Sequence, residues 1–340
     1  MGTADRYRAA GVDLDAADAA KRRILTALER TRTPLALGRP GAFGGMIRVP
    51  ADVPNPVLVM STDGVGTKVL VAIRAGRHDT VGEDLVNHCV NDILVHGARP
   101  IAFLDYIAAA TIDADTTAAL VEGVARGCEQ HAMTLVGGET AAMPDLYPAG
   151  HYDLAGTIVG VVSEQHARHG TDVEVGDVLI GYEATGLHTN GYTLARQIVF
   201  DELGLDVDSD VPAIGMTVAD ALLTVHKSYV AAVLPVAERC HGLAHITGGG
   251  IPGNLVRSLP DGCGALVHTD AWPTPEVFQW LQDSGNVTSE EMYRVFNMGV
   301  GFIVIAAPGE ADAIRAVAEH AGVGTFLMGE VAAGAEVRLV

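Results

Sequence analysis

Glycine-rich turns that follow apolar strands constrain this chain more than any other feature of its sequence. Glycine accounts for 40 of the 340 residues, well above the roughly 7% of an average protein. In four places an apolar run ends in a glycine-rich turn that also contains polar residues: Asp63–Lys68, Gly137–Thr140, Thr185–Gly191 and Thr247–Gly250. Each one alone is consistent with an ordinary turn at the end of a strand. Because backbone N–H groups in glycine turns converge on phosphate oxygens, the four turns together with Lys68 predict phosphate binding.

The turn at Asp63–Lys68 matches neither of the two common nucleotide-binding motifs. Its glycine spacing differs from that of the Walker A loop. The dinucleotide motif G-x-G-x-x-G requires a glycine where this chain has Val69. The nucleotide-binding hypothesis therefore depends on the set of four turns and on the acidic residues near them.

Apolar runs alternate with amphipathic stretches along the chain, which predicts an α/β (α+β) protein. A polar segment without periodicity, Glu164–Asp172, separates two halves, and we expect domains at 1–168 and 169–340. Strands are predicted at 56–62, 101–110, 134–136, 153–163, 178–182, 244–246 and 301–306. Helices are predicted at 15–32, 80–96, 115–131 and 309–321, with one more beginning at Pro252.

Charge and composition exclude several classes of protein. The formal net charge of −20 argues against a nucleic-acid-binding surface, which requires a basic field. The first residues resemble no signal peptide, and no apolar run approaches the roughly 18 residues that span a bilayer. The four cysteines are far apart and form no C-x-x-C pair, which is typical of free thiols in a reducing compartment. We therefore expect a cytoplasmic protein that binds no membrane.

Carboxylates provide a second chemical signal. On the helix predicted at 80–96, Asp84 has the position of a solvated polar face, whereas the pair Asn91-Asp92 stands among apolar residues. Asp105 interrupts an apolar strand, where an unpaired carboxylate is costly to bury. Together with Asp63 and Glu139, these groups predict a Mg²⁺ site, because Mg²⁺ binds through a few carboxylates plus phosphate oxygens.

Histidines are frequent but scattered along the chain. His241 and His245 have the four-residue spacing of a helical metal pair, but Gly242 follows His241 and the segment around His245 is predicted to be a strand. His188 and His245 are of more interest because each stands beside a glycine turn.

Motifs along nearly the whole chain resemble those of the phosphoribosylformylglycinamidine cyclo-ligase (AIR synthetase) family. The matching segments, in order, are Tyr7–Asp13, Ser61–Lys68, Arg77–Thr80, Val90–Asp92, Phe103–Tyr106, Gly137–Thr140, His188–Tyr192, Thr247–Gly250, Glu291–Asn297 and Gly299–Gly301. The resemblance implies a two-domain fold in which the N-terminal domains of two subunits pair into a β-barrel-like core. It also implies a homodimer that uses ATP to convert a small nucleotide substrate, formylglycinamidine ribonucleotide, into aminoimidazole ribonucleotide.

The resemblance also implies roles for individual residues. Lys68, Asp105 and His188 are the expected catalytic residues, and Asp63, Asp92 and Glu139 the expected Mg²⁺ ligands. ATP is expected to contact Asp63, Gly64, Gly66, Thr67, Lys68, Asn91, Asp92, Gly137, Gly138 and Glu139. The substrate is expected at His188, Asn190, Thr247, Gly248 and Gly249. The division of the loops between ATP and substrate stays open, as does a requirement for a monovalent cation.

Two departures from the family pattern leave the substrate open. Ala142 stands where the family usually has glutamate, and Ala108–Ala110 replace a turn that usually contains lysine. A paralogue acting on a related nucleotide or amidine is one alternative, and a thiamine-monophosphate-kinase-like or selenophosphate-synthase-like enzyme is another. A non-catalytic ATP-binding scaffold is a third alternative, although it predicts the loss of carboxylates that this chain retains.

Overall fold

The structure is a computed structural model that describes Arg6 and residues 14–340. The expected family match at Tyr7–Asp13 lies outside the described residues. The helices are α1 (Leu14–Arg30), α2 (Lys68–Ala75), α3 (Asp79–Leu94), α4 (Ala114–Gln130), α5 (Tyr192–Arg196), α6 (Val218–Leu222), α7 (Val230–Val233), α8 (Gly250–Leu255), α9 (Glu276–Gly285), α10 (Ser289–Val295) and α11 (Ala311–His320). The strands are β1 (Ala36–Leu37), β2 (Met46–Ile47), β3 (Pro56–Gly64), β4 (Arg99–Ala109), β5 (Thr134–Ala142), β6 (Tyr152–Ser163), β7 (Val178–Glu183), β8 (Asp210–Val211), β9 (Met216–Thr217), β10 (Gly242–His245), β11 (Cys263–Val267), β12 (Val300–Ala306), β13 (Thr325–Ala333) and β14 (Val337–Leu339).

The N-terminal part is a four-stranded sheet in the order β3-β6-β4-β5, with α3 and α4 on one face. β6 runs antiparallel to both of its neighbours, and β5 pairs parallel with β4. The strands β3, β4 and β5 therefore point the same way and end at one edge of the sheet. The face toward the helices holds much of the apolar core, including Phe103 and Ile158.

Glycines allow α3 and α4 to pack in close contact. A Cβ atom at Gly82 would lie 2.2 Å from the Leu120 carbonyl oxygen, and one at Gly127 would lie 2.7 Å from the Val86 side chain. Protein interiors have no room for such atoms. The excess glycine thus serves helix packing here as well as turns.

The other face of the N-terminal sheet keeps apolar side chains exposed. Leu58 and Met60 of β3 and Tyr106 of β4 point away from the helices and are exposed. The chain before β3 covers only part of this face, where Leu35 and Ile47 pack on Val161 and its neighbours.

The C-terminal part is a six-stranded sheet in the order β10-β12-β7-β13-β11-β14. All pairs are antiparallel except β11 with β14. The strand β12 is fully buried, and apolar clusters cover both faces of the sheet. The two sheets share no strand, and residues 164–172 connect them. The domain boundary between residues 168 and 169 stays a prediction.

Most of the predicted elements are confirmed, and apart from β5 their ends differ from the predicted ones by at most two residues. The clearest error concerns the segment Gly137–Thr140, which was predicted to be a turn. It continues β5 as far as Ala142, because parallel pairing with β4 supplies its backbone hydrogen bonds. All four cysteines are free thiols, as predicted, and three of them are buried. Among the described residues, no helix is both long and apolar enough to cross a membrane.

Candidate active site

A cavity of about 410 Å³ lies where the two parts of the chain meet. The strand β3 contributes Ser61 and Asp63, and the last turns of α3 contribute Asp92. The C-terminal part contributes His245 and Thr247. Three of the residues predicted from the sequence, Asp63, Asp92 and Thr247, thus line one cavity.

The two carboxylates that face the cavity are each bound by a buried histidine. Asp63 Oδ2 lies 2.9 Å from His88 Nε2, and Asp92 Oδ1 lies 2.9 Å from His245 Nδ1. Ser61 donates a further hydrogen bond to Asp92 Oδ2 at 3.0 Å. Burial acts to raise the pKa of both carboxyls, but the histidine hydrogen bonds outweigh it, so that each pKa is lowered. Both groups are therefore anions at neutral pH, as a cation site requires.

A chain of hydrogen bonds connects these histidines behind the cavity wall. Asn91 Nδ2 donates to His226 Nε2 at 3.1 Å, so the other ring nitrogen of His226 carries the proton and donates to Thr189 Oγ1 at 3.3 Å. The Thr189 hydroxyl then donates to His88 Nδ1 at 2.7 Å, which leaves His88 Nε2–H to donate to Asp63. His245 Nε2 lies 3.2 Å from His226 Nε2. Contacts across the junction therefore orient both carboxylates, through Thr189 and His88 for Asp63 and through His245 for Asp92.

Lys68 does not face the cavity. Its side chain is fully buried, and its Nζ forms an ion pair with Asp84 Oδ2 at 2.7 Å. The same Nζ donates to the carbonyl oxygens of His188 at 3.0 Å and Thr224 at 2.8 Å. Two N–H bonds are thus used by carbonyl oxygens and the remaining charge faces Asp84, and complete burial keeps the ammonium group away from a phosphate in the cavity. Burial lowers the pKa of Lys68 and raises that of Asp84.

The prediction that Asp84 lies on a solvated face is wrong. The C-terminal part packs on this face of α3, where Asp84 Oδ1 accepts a hydrogen bond from the His226 backbone N–H at 2.7 Å. Asn91 is also buried, donates to the Lys227 carbonyl at 2.8 Å and accepts from the Tyr229 N–H at 3.0 Å. Asn91 is therefore committed to the junction rather than to a nucleotide.

His188 is buried behind the cavity, with its ring stacked on His226 at 4.0 Å between centroids. Burial lowers its pKa well below the ordinary value, so the ring is neutral. Its Nε2 accepts from the Thr185 N–H at 3.3 Å, while its Nδ1 has no partner. A Cβ atom at Gly301 would lie 2.4 Å from His188 Cε1, which explains glycine at that position of β12.

Three of the four glycine segments come together. Gly66 lies beside the Thr189 carbonyl, since a Cβ atom there would be 3.6 Å from it, and Thr67 Oγ1 lies 3.2 Å from Thr193 Oγ1. Gly248 lies next to Asn190, whose Oδ1 would be 3.4 Å from a Cβ atom at position 248. The buried Asn190 Nδ2 has no partner. The loops at 63–68, 185–191 and 247–250 therefore form one continuous rim.

Asp105 does not line the cavity, contrary to its expected catalytic role. It is only 8% exposed, lies on the helix-facing side of the sheet two strands from Asp63, and leans over Gly138. Burial raises its pKa to about 7. A Cβ atom at Gly138 would lie 1.9 Å from its Oδ1, so this glycine makes room for the carboxyl group.

Glu139 is not part of the carboxylate group at the cavity. It pairs with Tyr106, which pairs with Ala155, which pairs with Gly64. Glu139 therefore lies three strands from Gly64, about 14 Å away, on the exposed sheet face. Among the described residues, the compact acidic and histidine groups are Asp63-His88-Asp92 and His88-His226-His245. A single Mg²⁺ site of Asp63, Asp92 and Glu139 is thus not formed within one chain, and Gly137 lies on the same distant strand.

The sequence did not predict several residues of the site. His226 and Thr189 connect the two carboxylate-bound histidines, and Arg168 and Arg257 line the cavity. His226 stands in a segment without periodicity, and Arg168 stands in the presumed linker. His241 pairs with Asp177 at 2.8 Å instead of joining His245.

Comparison with known proteins identifies two matching family models. Residues 45–162 match the AIR synthase related protein, N-terminal domain, and residues 174–340 match the AIR synthase related protein, C-terminal domain. The chain is 47% identical over 329 residues to a phosphoribosylformylglycinamidine cyclo-ligase of Geobacter sulfurreducens, covering 96% of this chain and 94% of that one. It is also 47% identical over 336 residues to the enzyme of that name from Sorangium cellulosum, covering 97% of this chain and 96% of that one.

Solved structures share the fold at much lower identity. A thiamine-monophosphate kinase from Stenotrophomonas maltophilia has a TM-score of 0.72 at 19% identity, covering 94% of this chain and 95% of the other. The hydrogenase maturation protein HypE in complex with ATP has a TM-score of 0.64 at 20% identity, covering 94% of this chain and 90% of the other. These similarities show the architecture alone.

Proposed function

The chain belongs to the phosphoribosylformylglycinamidine cyclo-ligase family, and we propose that it is the ATP-dependent ligase that makes 5-aminoimidazole ribonucleotide in purine biosynthesis. The observation that carries this proposal is 47% identity to such an enzyme over 96% of the chain. The cavity with its two anionic carboxylates supports the same reaction. A paralogue, another superfamily enzyme or a non-catalytic scaffold is not favoured at this identity.

The reaction requires activation of a poor leaving group. The γ-phosphoryl group of ATP is transferred to the formyl amide oxygen of formylglycinamidine ribonucleotide, with release of ADP. The amidine nitrogen then forms a bond to the activated carbon, and the phosphorylated oxygen leaves as inorganic phosphate while the imidazole closes. Phosphoryl transfer of this kind depends on positioning and charge neutralisation more than on covalent catalysis by the protein.

Asp63 and Asp92 are the residues that would hold Mg²⁺ with the ATP phosphates. Both are ionised and both face the cavity. Among the described residues, neither forms an ion pair with a lysine or an arginine. Such oxygen ligands suit Mg²⁺, which binds through few carboxylates and keeps waters or phosphates. Bound there, Mg²⁺ would neutralise charge on the transferring phosphoryl group.

The remaining rim supplies candidate substrate contacts. The Asn190 amide has a buried, unpartnered N–H group beside Gly248, and Thr247 lines the cavity. His188 and Lys68 are assigned a positioning role, because they hold the 185–191 loop from behind. Asp105 is assigned a structural role.

The exposed apolar face of the N-terminal sheet supports a homodimer. Leu58, Met60 and Tyr106 lie on this face, and Glu139 lies at its far strand. Apolar side chains on an exposed sheet face stabilise association when a second sheet covers them. We assign this face to a second copy of the chain, as in a barrel-like pairing of two N-terminal sheets.

The experiment for this function uses purified protein with ATP, Mg²⁺ and formylglycinamidine ribonucleotide, assayed for aminoimidazole ribonucleotide and ADP. We expect both products in equal amounts, and growth without purines when the gene is placed in a strain that lacks its own AIR synthetase. Ala142 and Ala108–Ala110 do not line the cavity, so Ala142→Glu should leave turnover unchanged. Folded protein that forms no product and fails to complement would refute the proposal.

A further inference from the structure

The segment between the two domains forms part of the cavity wall. Arg168, His169 and Gly170 all line the cavity. The Arg168 N–H donates to the His96 carbonyl at 3.1 Å, and His96 Nδ1 donates back to the Arg168 carbonyl at 2.9 Å. This reciprocal pair fixes the segment against the end of α3.

A close backbone contact brings this segment to a second basic residue. Gly170 has a φ of +73°, and a Cβ atom there would lie 2.5 Å from the Ser258 carbonyl oxygen. Only glycine permits that contact. Ser258 follows Arg257, and both line the cavity together with Arg168.

The guanidinium groups of Arg168 and Arg257 each have N–H donors without a hydrogen-bond partner among the described residues. Arg257 donates a single long bond of 3.4 Å to Asn254 Oδ1 and has no carboxylate at ion-pair distance among the described residues. Arg168 binds Asp172 through Nη1 at 3.2 Å and donates through Nη2 to the Glu238 carbonyl at 3.4 Å, but its Nε is buried and has no partner. An unpartnered buried donor costs free energy unless a ligand satisfies it.

This basic group is unusual for the chain. The protein carries a formal charge of −20, and the same cavity is lined by the carboxylates of Asp63 and Asp92. A phosphate that reaches the acidic residues needs a metal ion between them. A phosphate at Arg168 and Arg257 needs none, because guanidinium groups bind phosphate oxygens directly.

We propose that Arg168 and Arg257 form a metal-independent site for the 5′-phosphate of the ribonucleotide substrate, at the end of the cavity formed by the domain linker. This inference rests on the proposed function for the identity of the nucleotide. A cavity of about 410 Å³ is large enough for a ribose phosphate. The site fixes one end of the substrate and leaves the acidic residues to ATP.

The binding test uses ribose 5-phosphate as the probe, with ribose as the matched compound without phosphate. Isothermal titration calorimetry in buffer with EDTA should detect ribose 5-phosphate and not ribose. Arg257→Gln and Arg168→Gln should each weaken binding by about tenfold to a hundredfold, because charge-assisted bonds to phosphate are lost. Arg239→Gln is the charge-matched control, since that residue is exposed and pairs with Glu310 at 3.1 Å.

The kinetic test distinguishes the 5′-phosphate of the substrate from the phosphates of ATP. For Arg257→Gln, KM for formylglycinamidine ribonucleotide should rise by a similar factor, while KM for ATP stays unchanged. Arg257 is exposed, so this variant should fold even if Arg168→Gln does not. Arg257→Lys should recover part of the loss, because it keeps the charge without the two-pronged geometry.

Three results would overturn the assignment. They are wild-type protein that does not bind ribose 5-phosphate at millimolar concentration, folded Arg257→Gln that binds it as well as the Arg239→Gln control, and an Arg257→Gln variant whose KM rises for ATP instead. Arginine-dependent binding in a protein that makes no aminoimidazole ribonucleotide would support this site and refute the proposed function instead.

Discussion

Replacement of Lys68 by methionine distinguishes a phosphate-binding lysine from a lysine that joins the two domains. The family resemblance implies the first role, whereas the ion pair with Asp84 and the bonds to the His188 and Thr224 carbonyls indicate the second. Lys68 begins α2 and Asp84 lies on α3, while both carbonyls belong to the C-terminal part. Lys68→Met would leave a buried carboxylate and two carbonyl oxygens without their donor.

The magnitude follows from complete burial of both side chains. Removal of one partner from a buried ion pair typically costs about 3–5 kcal/mol. Lys68→Met should therefore lower the free energy of unfolding by that amount and the melting temperature by roughly 10 °C. Asp84→Asn should cost a similar amount. The double variant should cost less than the two single variants combined, with a coupling of about 1–3 kcal/mol.

Urea denaturation followed by circular dichroism measures these free energies, and Arg77→Met is the matched control. Arg77 also crosses between the two parts and pairs with Asp220 at the same 2.7 Å, but both side chains are about half exposed. An exposed pair contributes at most about 1 kcal/mol. A large loss of unfolding free energy in Lys68→Met, beside a small loss in Arg77→Met, would thus show that burial of the ion pair, and not its charge alone, causes the effect.

One outcome would refute this reasoning. If the free energy of unfolding of Lys68→Met is within about 1 kcal/mol of the wild-type value and the variant instead has a higher KM for ATP, the lysine contacts phosphate. The buried contacts would then belong to a state without nucleotide, and the additive behaviour of the double variant would agree with that result.

Three further outcomes are expected. Asp105 should keep its proton in the native state between about pH 4 and pH 7, so the free energy of unfolding should fall by about 4 kcal/mol as pH rises through that window; Asp105→Asn should abolish this dependence in urea titrations at pH 5 and pH 8, and an unchanged dependence would exclude Asp105 as its source. Asp92→Asn should keep the fold and lose most ATP turnover, unlike the exposed control Asp206→Asn, and full activity at saturating Mg²⁺ would remove Asp92 from the site. Light scattering at micromolar concentration should give twice the chain mass of 35.4 kDa, and Met60→Lys on the exposed sheet face should lower it; a wild-type monomer would contradict the proposed pairing.

Local patterns were sufficient for most of the elements but not for the contacts between domains. The apolar period of α3 predicts the helix, and the apolar neighbours of Asn91-Asp92 indicate that this pair does not lie on a solvated face; Asn91 is indeed buried, and Asp92 lines the cavity. The predicted solvent exposure of Asp84 is wrong, because a polar helical face has the same sequence pattern whether water or another domain covers it. The partners that bury Asp84 lie about 140 positions further along the chain, at His226.

The position of Glu139 was misjudged for a different reason. A glycine pair followed by acidic and hydroxyl side chains indicates a turn when only the segment is considered. Parallel pairing with β4 keeps the segment extended instead, and one residue of register decides the sheet face. Gly138 therefore lies under Asp105 on the helix side, while Glu139 faces away from the cavity. The sequence contains no local sign of that choice.

The polar junction explains how the two cavity carboxylates can be both ionised and fixed in orientation. An apolar interface between the domains would leave Asp63 and Asp92 with water as their main partner, and their orientation would vary. Here His88 and His245 hold them: His245 belongs to the C-terminal part, and His88 is bound by Thr189 of that part. A shift of one domain against the other must break the His245–Asp92 and Thr189–His88 bonds, because their donors and acceptors lie on opposite sides of the junction. The geometry of the two carboxylates that we propose to hold Mg²⁺ is therefore coupled to domain packing, and a variant at His226, which does not line the cavity, should disturb the Mg²⁺ dependence of turnover.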